Sequence, residues 1–210
     1  GSRAAAGVIL VTTKRARNKE FHLSYNMEYG ASCMGYEIAG AFGAKLAEPD
    51  KEVYALVGDG SFMMLNSEIP TAMQENAKIT VVVFDNCAFG CINNLQMGNG
   101  VGSLATEMRH RNETTGKLDG DYCYTDFGKI GEGFGMKAFY AKTPDEFRKA
   151  VQDAKKESVS CIIDAKVLPK TMAEGYESWW HIGVASTSKS DEVKAARKRI
   201  DDHLAEARMY

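Results

Sequence analysis

Two short apolar runs rich in β-branched residues, 53–57 (VYALV) and 79–84 (ITVVVF), are each closed by turn residues. This is the pattern of parallel strands covered on both faces. Residues 136–140 and 158–167 (SVSCIIDAKV) predict two more strands, and the segments between have helical character. The small residues of 31–47, among them Gly35, Gly40 and Gly43, predict a buried helix that can lie close to a neighbour. Thr143, Pro144 and Glu146 supply an N-cap, a first-turn proline and a capping-box acid, and Phe147, Val151 and Ala154 follow at helical spacing. The order α, β, α, β, α, β, α, β predicts an α/β domain with a mostly parallel sheet flanked by helices on both faces. Its ligand site should lie beyond the carboxyl ends of the strands.

Residues 98–124 are polar and glycine-rich without an apolar period, and such long connections are lids, interfaces or disordered. The stretch 190–209 is charged with sparse apolar positions (Val193, Ile200, Leu204), which suits a helix on the surface or against another chain. A length of 210 residues, 44% hydrophobic and 26% charged, fits one large globular domain and excludes wholesale disorder. With 26 basic against 28 acidic residues, the net charge of -2 gives no general attraction to nucleic acid or an anionic membrane. Five scattered cysteines, an odd count without a Cys-x-x-Cys pair, read as reduced and mostly buried thiols. No apolar run approaches the roughly 20 residues of a membrane span, and 8–11 is too short for a signal peptide. A reducing cytoplasm is the expected setting, in which the sequon at Asn112 is a chance match.

Gly58-Asp59-Gly60-Ser61 follows the first of these strands directly. Alone it reads as a turn. Its backbone amides could also cradle a phosphate, but Asp59 would repel a bare one unless a cation lay between them. Asp85-Asn86 ends the next strand, so the two loops should emerge at the same sheet edge. Magnesium takes hard oxygen ligands in an octahedron, which a carboxylate, an amide oxygen, a backbone carbonyl, phosphate oxygens and water would complete.

Gly-Asp-Gly, 24 intervening residues and Asp-Asn together resemble the cofactor motif of thiamine-diphosphate enzymes. The resemblance implies magnesium held by Asp59, Asn86 and the carbonyl of Ala88, and a diphosphate held by the amides of Gly58 to Ser61. Asp85 departs from the family's usual Asn at a non-ligating position. It also implies that Met34 wedges beneath the bent cofactor and that the carbonyl of Ser32 accepts from its aminopyrimidine. MEYGASCMGYEIAG, VGDGSFMML, FDNCAFGCINNLQM, KVLPKTM and GYESWW together resemble the trihydroxycyclohexanedione hydrolases of inositol catabolism, over residues 27–184. That narrower resemblance implies the opening of a cyclic 1,2-dione by carbon–carbon cleavage and addition of water.

Enzymes of this kind use a second, pyrimidine-binding module whose glutamate activates the cofactor, often from a neighbouring subunit. The resemblance places that glutamate outside this chain, because Glu28 and Glu37 belong to the diphosphate-binding module. The chain therefore reads as part of a homo-oligomeric enzyme, inactive by itself. Residues 1–26 resemble instead the plug segment of TonB-dependent receptors and read as a foreign or disordered leader, or as a hairpin pairing 8–12 with 21–25. The expected organisation is this leader, a cofactor-binding domain over 27–188 and a terminal helix over 189–210. Cys87 and Cys91 read as structural thiols rather than a metal pair. Arg109-His110-Arg111 could meet a polyhydroxylated substrate or form a solvated loop. Tyr176, Trp179 and Trp180 could cover a ligand, dock a partner or pack in the core, and His181 could act as an acid or base nearby. Competing readings are another thiamine-diphosphate enzyme, such as an acetolactate synthase or decarboxylase, and a non-catalytic binding module. A nicotinamide-binding domain is disfavoured by the missing third glycine and by the acid beside the phosphate.

Overall fold

The computed structural model describes residues 33–170 and 183–206, together with the backbone of 7–10, 12–13 and 23–24. Ser32, Glu28, Tyr176, Trp179, Trp180 and His181 lie outside the described residues. The elements run β1 (Gly7–Leu10), β2 (Thr12–Thr13), β3 (Leu23–Ser24), α1 (Tyr36–Ala47), β4 (Val53–Gly58), α2 (Asp59–Met64), α3 (Glu68–Gln74) and β5 (Thr80–Asp85). They continue α4 (Gly90–Gly98), α5 (Phe127–Gly133), β6 (Lys137–Ala141), α6 (Pro144–Lys156), β7 (Cys161–Lys166) and α7 (Asp191–Glu206).

The main sheet has the order β1-β4-β5-β7-β6. β4, β5, β7 and β6 are mutually parallel, whereas β1 joins antiparallel to the outer edge of β4. The four strands expected from the apolar runs are these parallel ones. The amino-terminal pair joins Thr12 with Ser24 and Thr13 with Leu23, so of the run expected over 8–12 only Thr12 pairs with 21–25, while residues 8–10 extend the main sheet instead.

Both faces of the sheet are covered. On one, Val81 and Val83 of β5 and Ile162 of β7 pack with Ile38 of α1, Phe62 of α2, Ile69 of α3 and Phe127 of α5. On the other, Val82 and Ile163 meet Ala150 and Ala154 of α6. Successive side chains of a strand point to opposite faces, so a run such as TVVVF feeds both layers at once.

α6 forms as its local signals require: Thr143 Oγ1 accepts from the Glu146 amide at 3.2 Å, and Glu146 Oε2 accepts from the Thr143 amide at 3.2 Å. α1 begins five residues later than the expected 31. Gly35 stops it with φ of 93°, a left-handed conformation that strains any residue with a Cβ. A Cβ there would also lie 2.8 Å from that of Leu65, so glycine is needed for α2 to pack against the start of α1. α7 buries Val193, Ala196 and Ile200 against Val184.

The stretch after α4 is held by bridges pairing Ala88 with Glu107 and Arg109 with Tyr122, by bonds with Asn93 and Gln96, and by a polar cluster around Glu107. Glu107 accepts from Ser103 Oγ at 2.6 Å and Tyr122 Oη at 3.1 Å, and pairs with Arg109 at 3.0 Å and Lys170 at 3.4 Å. Arg109 in turn stacks 3.9 Å from the Tyr122 ring centroid. No described helix is long and apolar enough to cross a membrane.

Candidate cofactor site

β4 and β5 run parallel with Gly58 opposite Phe84, so the residues that follow them, Asp59 and Asp85, leave the sheet side by side. Asp59 is the first residue of α2, and β4 thus runs straight into a helix where a loop was expected. Asp59 Oδ1 accepts from its neighbour Gly60 N–H at 2.7 Å. Its Oδ2 reaches across to the other motif half and accepts from the amides of Asn86 and Ala88, each at 3.1 Å. The two halves, 27 residues apart in sequence, are therefore hydrogen-bonded to each other.

Between those two amides, the Cys87 amide turns to the other acid, donating to Asp85 Oδ1 at 3.0 Å, with its thiol 3.5 Å from the same oxygen. This alternation requires a tight turn, and Cys87 adopts a left-handed φ of 54°. Asn86 packs its Nδ2 where a Cβ on Gly90 would lie 2.7 Å away. Its Oδ1 is buried and has no partner. A buried carbonyl oxygen of this kind costs free energy unless something meets it.

Asp59 is almost completely buried, and burial together with the adjacent Asp85 pushes its carboxyl up to about 7. Two carboxylates this close and this dry call for positive charge. One source is internal. Lys166 at the end of β7, in register with Asp85, places its ammonium 2.5 Å from Asp85 Oδ2, 3.0 Å from Asp164 Oδ2 and 2.9 Å from the Thr125 carbonyl. Sequence reasoning missed Lys166 and Asp164. The signal was present, since both are charged residues inside an otherwise apolar strand and share the face that carries Ile162.

The donor set fits a hard cation: Asp59 supplies a carboxylate, and Asn86 supplies an amide oxygen with no other partner. Gly58 has open space where a Cβ would stand, so its backbone can be approached closely. Gly60 has none, because a Cβ there would lie 2.5 Å from the Phe89 ring. Met34 is half-buried just before Gly35.

The 106–109 segment borders this cluster, with the Met108 amide donating to the Cys87 carbonyl at 2.7 Å and the Phe89 amide to that of Thr106 at 2.9 Å. Arg109 is held within its own loop by Glu107, and Arg111 donates to the Gly116 carbonyl. All five cysteines are free, but only Cys87 and Cys161 are buried, while Cys33 and Cys123 are exposed and Cys91 is intermediate, which corrects the expectation of mostly buried thiols. Burial and Asp85 push the Cys87 thiol up to about 12, so it stays protonated. The described residues contain no group of three or more His, Cys, Asp or Glu side chains suited to a metal. Glu37 is fully buried, which raises its carboxyl above the ordinary value, and it accepts from the Gly35 amide at 2.9 Å.

This fold and site define a class. The family described as thiamine pyrophosphate enzyme, C-terminal TPP binding domain, matches residues 6–165, and the chain belongs to that family. Among its relatives, a 3D-(3,5/4)-trihydroxycyclohexane-1,2-dione hydrolase of Clostridium botulinum is 55% identical over 206 residues, which is 98% of this chain and 32% of that protein. A protein of the same name from Geobacillus thermodenitrificans is 58% identical over 89% of this chain and 29% of its own length. The chain thus spans about a third of the length of these relatives. A solved structure of the Rhodococcus jostii thiamine diphosphate-dependent 4-hydroxybenzoylformate decarboxylase shares the fold. Its TM-score is 0.54, with 22% identity, over 66% of this chain and 24% of that one.

Proposed function

We propose that the chain is the diphosphate-binding portion of a thiamine-diphosphate and magnesium dependent hydrolase that opens a cyclic 1,2-dione. The observation that carries the reading is the pairing of Asp59 with the 86–88 turn beside the unpartnered Asn86 Oδ1. In this reading Asp59, Asn86 Oδ1 and the Ala88 carbonyl hold Mg2+. The amides of Gly58, Gly60 and Ser61 receive the diphosphate. Met34 supports the bent cofactor from below, and Ser32 contributes its carbonyl to the aminopyrimidine.

Thiamine diphosphate supplies, when bound, a ring that takes up the electrons released as a carbon–carbon bond beside a carbonyl breaks. This chain's own residues bind and orient it. Asp59 fixes the 86–88 turn and offers charge to the metal, while Phe89 and Gly60 lock the two halves together. The name these relatives share supports the trihydroxycyclohexanedione as substrate. The activating glutamate is assigned to a pyrimidine-binding module of the same or a neighbouring subunit in a homo-oligomer. The five free cysteines suit a reducing cytoplasm.

The proposed domain spans 27–188, with the helix of 189–210 appended. A second reading, in which residues 1–26 belong to the same module rather than to a foreign leader, is favoured by the β1–β4 pairing and by the family match starting at residue 6.

Calorimetry with thiamine diphosphate, with and without Mg2+, tests the site. Asp59→Ala and Asn86→Leu should each abolish metal-dependent binding while leaving the circular dichroism spectrum intact, and Cys87→Ser should bind as the parent does. Parent-like binding by Asp59→Ala would show the site to be misassigned. Ring opening by the chain together with a pyrimidine-binding module tests the activity, and preference for pyruvate over the dione would move the assignment to a synthase or decarboxylase.

A further inference from the structure

Three buried carboxylates, Asp59, Asp85 and Asp164, converge at the carboxyl ends of β4, β5 and β7, and Lys166 is the ammonium that meets two of them. The side chains of Asp85 and Asp164 are each 1% exposed and that of Lys166 is 28% exposed, so water screens this group poorly. Asp59 and Asp85 divide three consecutive amides. Asn86 and Ala88 donate to Asp59, and Cys87 donates to Asp85. Which acid takes which amide depends on where Asp85 is held, and the second oxygen of Asp85 is held by Lys166 at 2.5 Å.

Lys166 is itself fixed from several sides. Asp164 and the Thr125 carbonyl accept from it, and its ammonium lies 5.6 Å from the Phe127 ring centroid. Asp164 Oδ2 accepts from the Phe127 amide at 3.2 Å, which ties this anchor to the start of α5. The clamp therefore spans β5, β7 and α5, and none of these contacts touches Asp59, Asn86 or Ala88 directly.

We propose that Lys166 is a positioning residue of the cofactor site: by drawing the Asp85 carboxylate toward β7, it leaves Asp59 as the sole carboxylate partner of the Asn86 and Ala88 amides and so sets the 86–88 turn in its ligating shape. The inference rests on the reading of Asp59, Asn86 and Ala88 as the metal ligands, but the turn geometry can be read without metal.

The test uses the 210-residue chain, isotopically labelled, as parent, Lys166→Met and the double variant Asp85→Asn/Lys166→Met. An Asn at 85 retains an oxygen for the Cys87 amide and needs no counter-ion. Lys166→Met should move the amide resonances of Asn86 and Ala88 and weaken Mg2+-dependent thiamine diphosphate binding by about tenfold or more. The double variant should return both readouts to the parent's.

Unmoved amides in a folded Lys166→Met, or a double variant as perturbed as the single one, would overturn the proposal. If Lys166→Met does not fold, the double variant decides. Parent-like amides support the clamp, and failure of both to fold shows that Lys166 serves the fold rather than Asp85. Recovery of the amides in a chain whose parent shows no response to Mg2+ and cofactor would sink the metal reading while leaving the positioning role intact.

Discussion

Gly60 is occupied from outside its own motif: a Cβ would meet the Phe89 ring at 2.5 Å. The sequence suggests that its glycines let the backbone approach a phosphate, and Gly58, with open space beside it, keeps that explanation. For Gly60 the constraint is packing between residues 29 positions apart, which no local pattern displays. Gly60→Ala should therefore cost about 1 to 3 kcal/mol in urea denaturation, because the half-buried ring would have to shift to admit the methyl group. An unchanged urea midpoint would show that Phe89 gives way. The meeting of Asp59 with the 86–88 turn was legible because the motif halves each follow one of two adjacent apolar runs. Lys166 was missed although its charge in an apolar strand was visible, since a lysine at a strand end also suits a solvated terminus until its partner on β5 is known.

Among the elements, α6 was legible to its first residue, because its N-cap, proline and capping-box acid all act within one turn. The parallel strands were equally plain from their β-branched runs. The first turn of α2 was not, since Asp59, Gly60 and Ser61 carry turn chemistry, and it is the close packing of Phe62 in the core that keeps them helical. The connection after α4 was unreadable for a different reason. It has no apolar period and is organised by polar bonds, several of which converge on Glu107. Burial alone would raise the Glu107 carboxyl, but bonds from Ser103, Arg109 and Tyr122 outweigh it and hold the group at about 2, below its ordinary 4.5. An acid whose folded value is depressed binds fewer protons folded than unfolded, so its contribution is complete above pH 4.5 and is lost as pH falls toward 2. Urea midpoints should drop across that window by the equivalent of about 2 to 3 kcal/mol. Glu107→Gln should be less stable at neutral pH and show a flatter acid limb. A variant with the parent's acid limb would place the loss elsewhere.

At the scale of the whole molecule, apolar side chains stand exposed at the end of α2: Met63, Met64 and Leu65 are 43%, 56% and 44% exposed, and Tyr36, beside the Gly35 that packs on Leu65, is 61% exposed. Contiguous exposed apolar groups of this size mark surfaces that other chains cover. The isolated chain should therefore self-associate in light scattering and bind an apolar-surface dye, and a pyrimidine-binding module should suppress both. A monomer without dye binding would show that these side chains are solvated as they stand. The sheet order has a consequence of another kind, for the time at which the molecule is made. β7 is inserted between β5 and β6, both of which precede it in the chain, and Lys166 meets an acid 81 residues earlier. At a synthesis rate of roughly 5 to 20 residues per second, Asp85 waits on the order of 4 to 16 s on the ribosome before its counter-ion emerges. Until then β5 lacks its central neighbour and the acid pair stands exposed to water. The β4 and β5 halves of the site are therefore made well before the charge that balances them, and the last parallel strand to be synthesised is the one that neutralises Asp85.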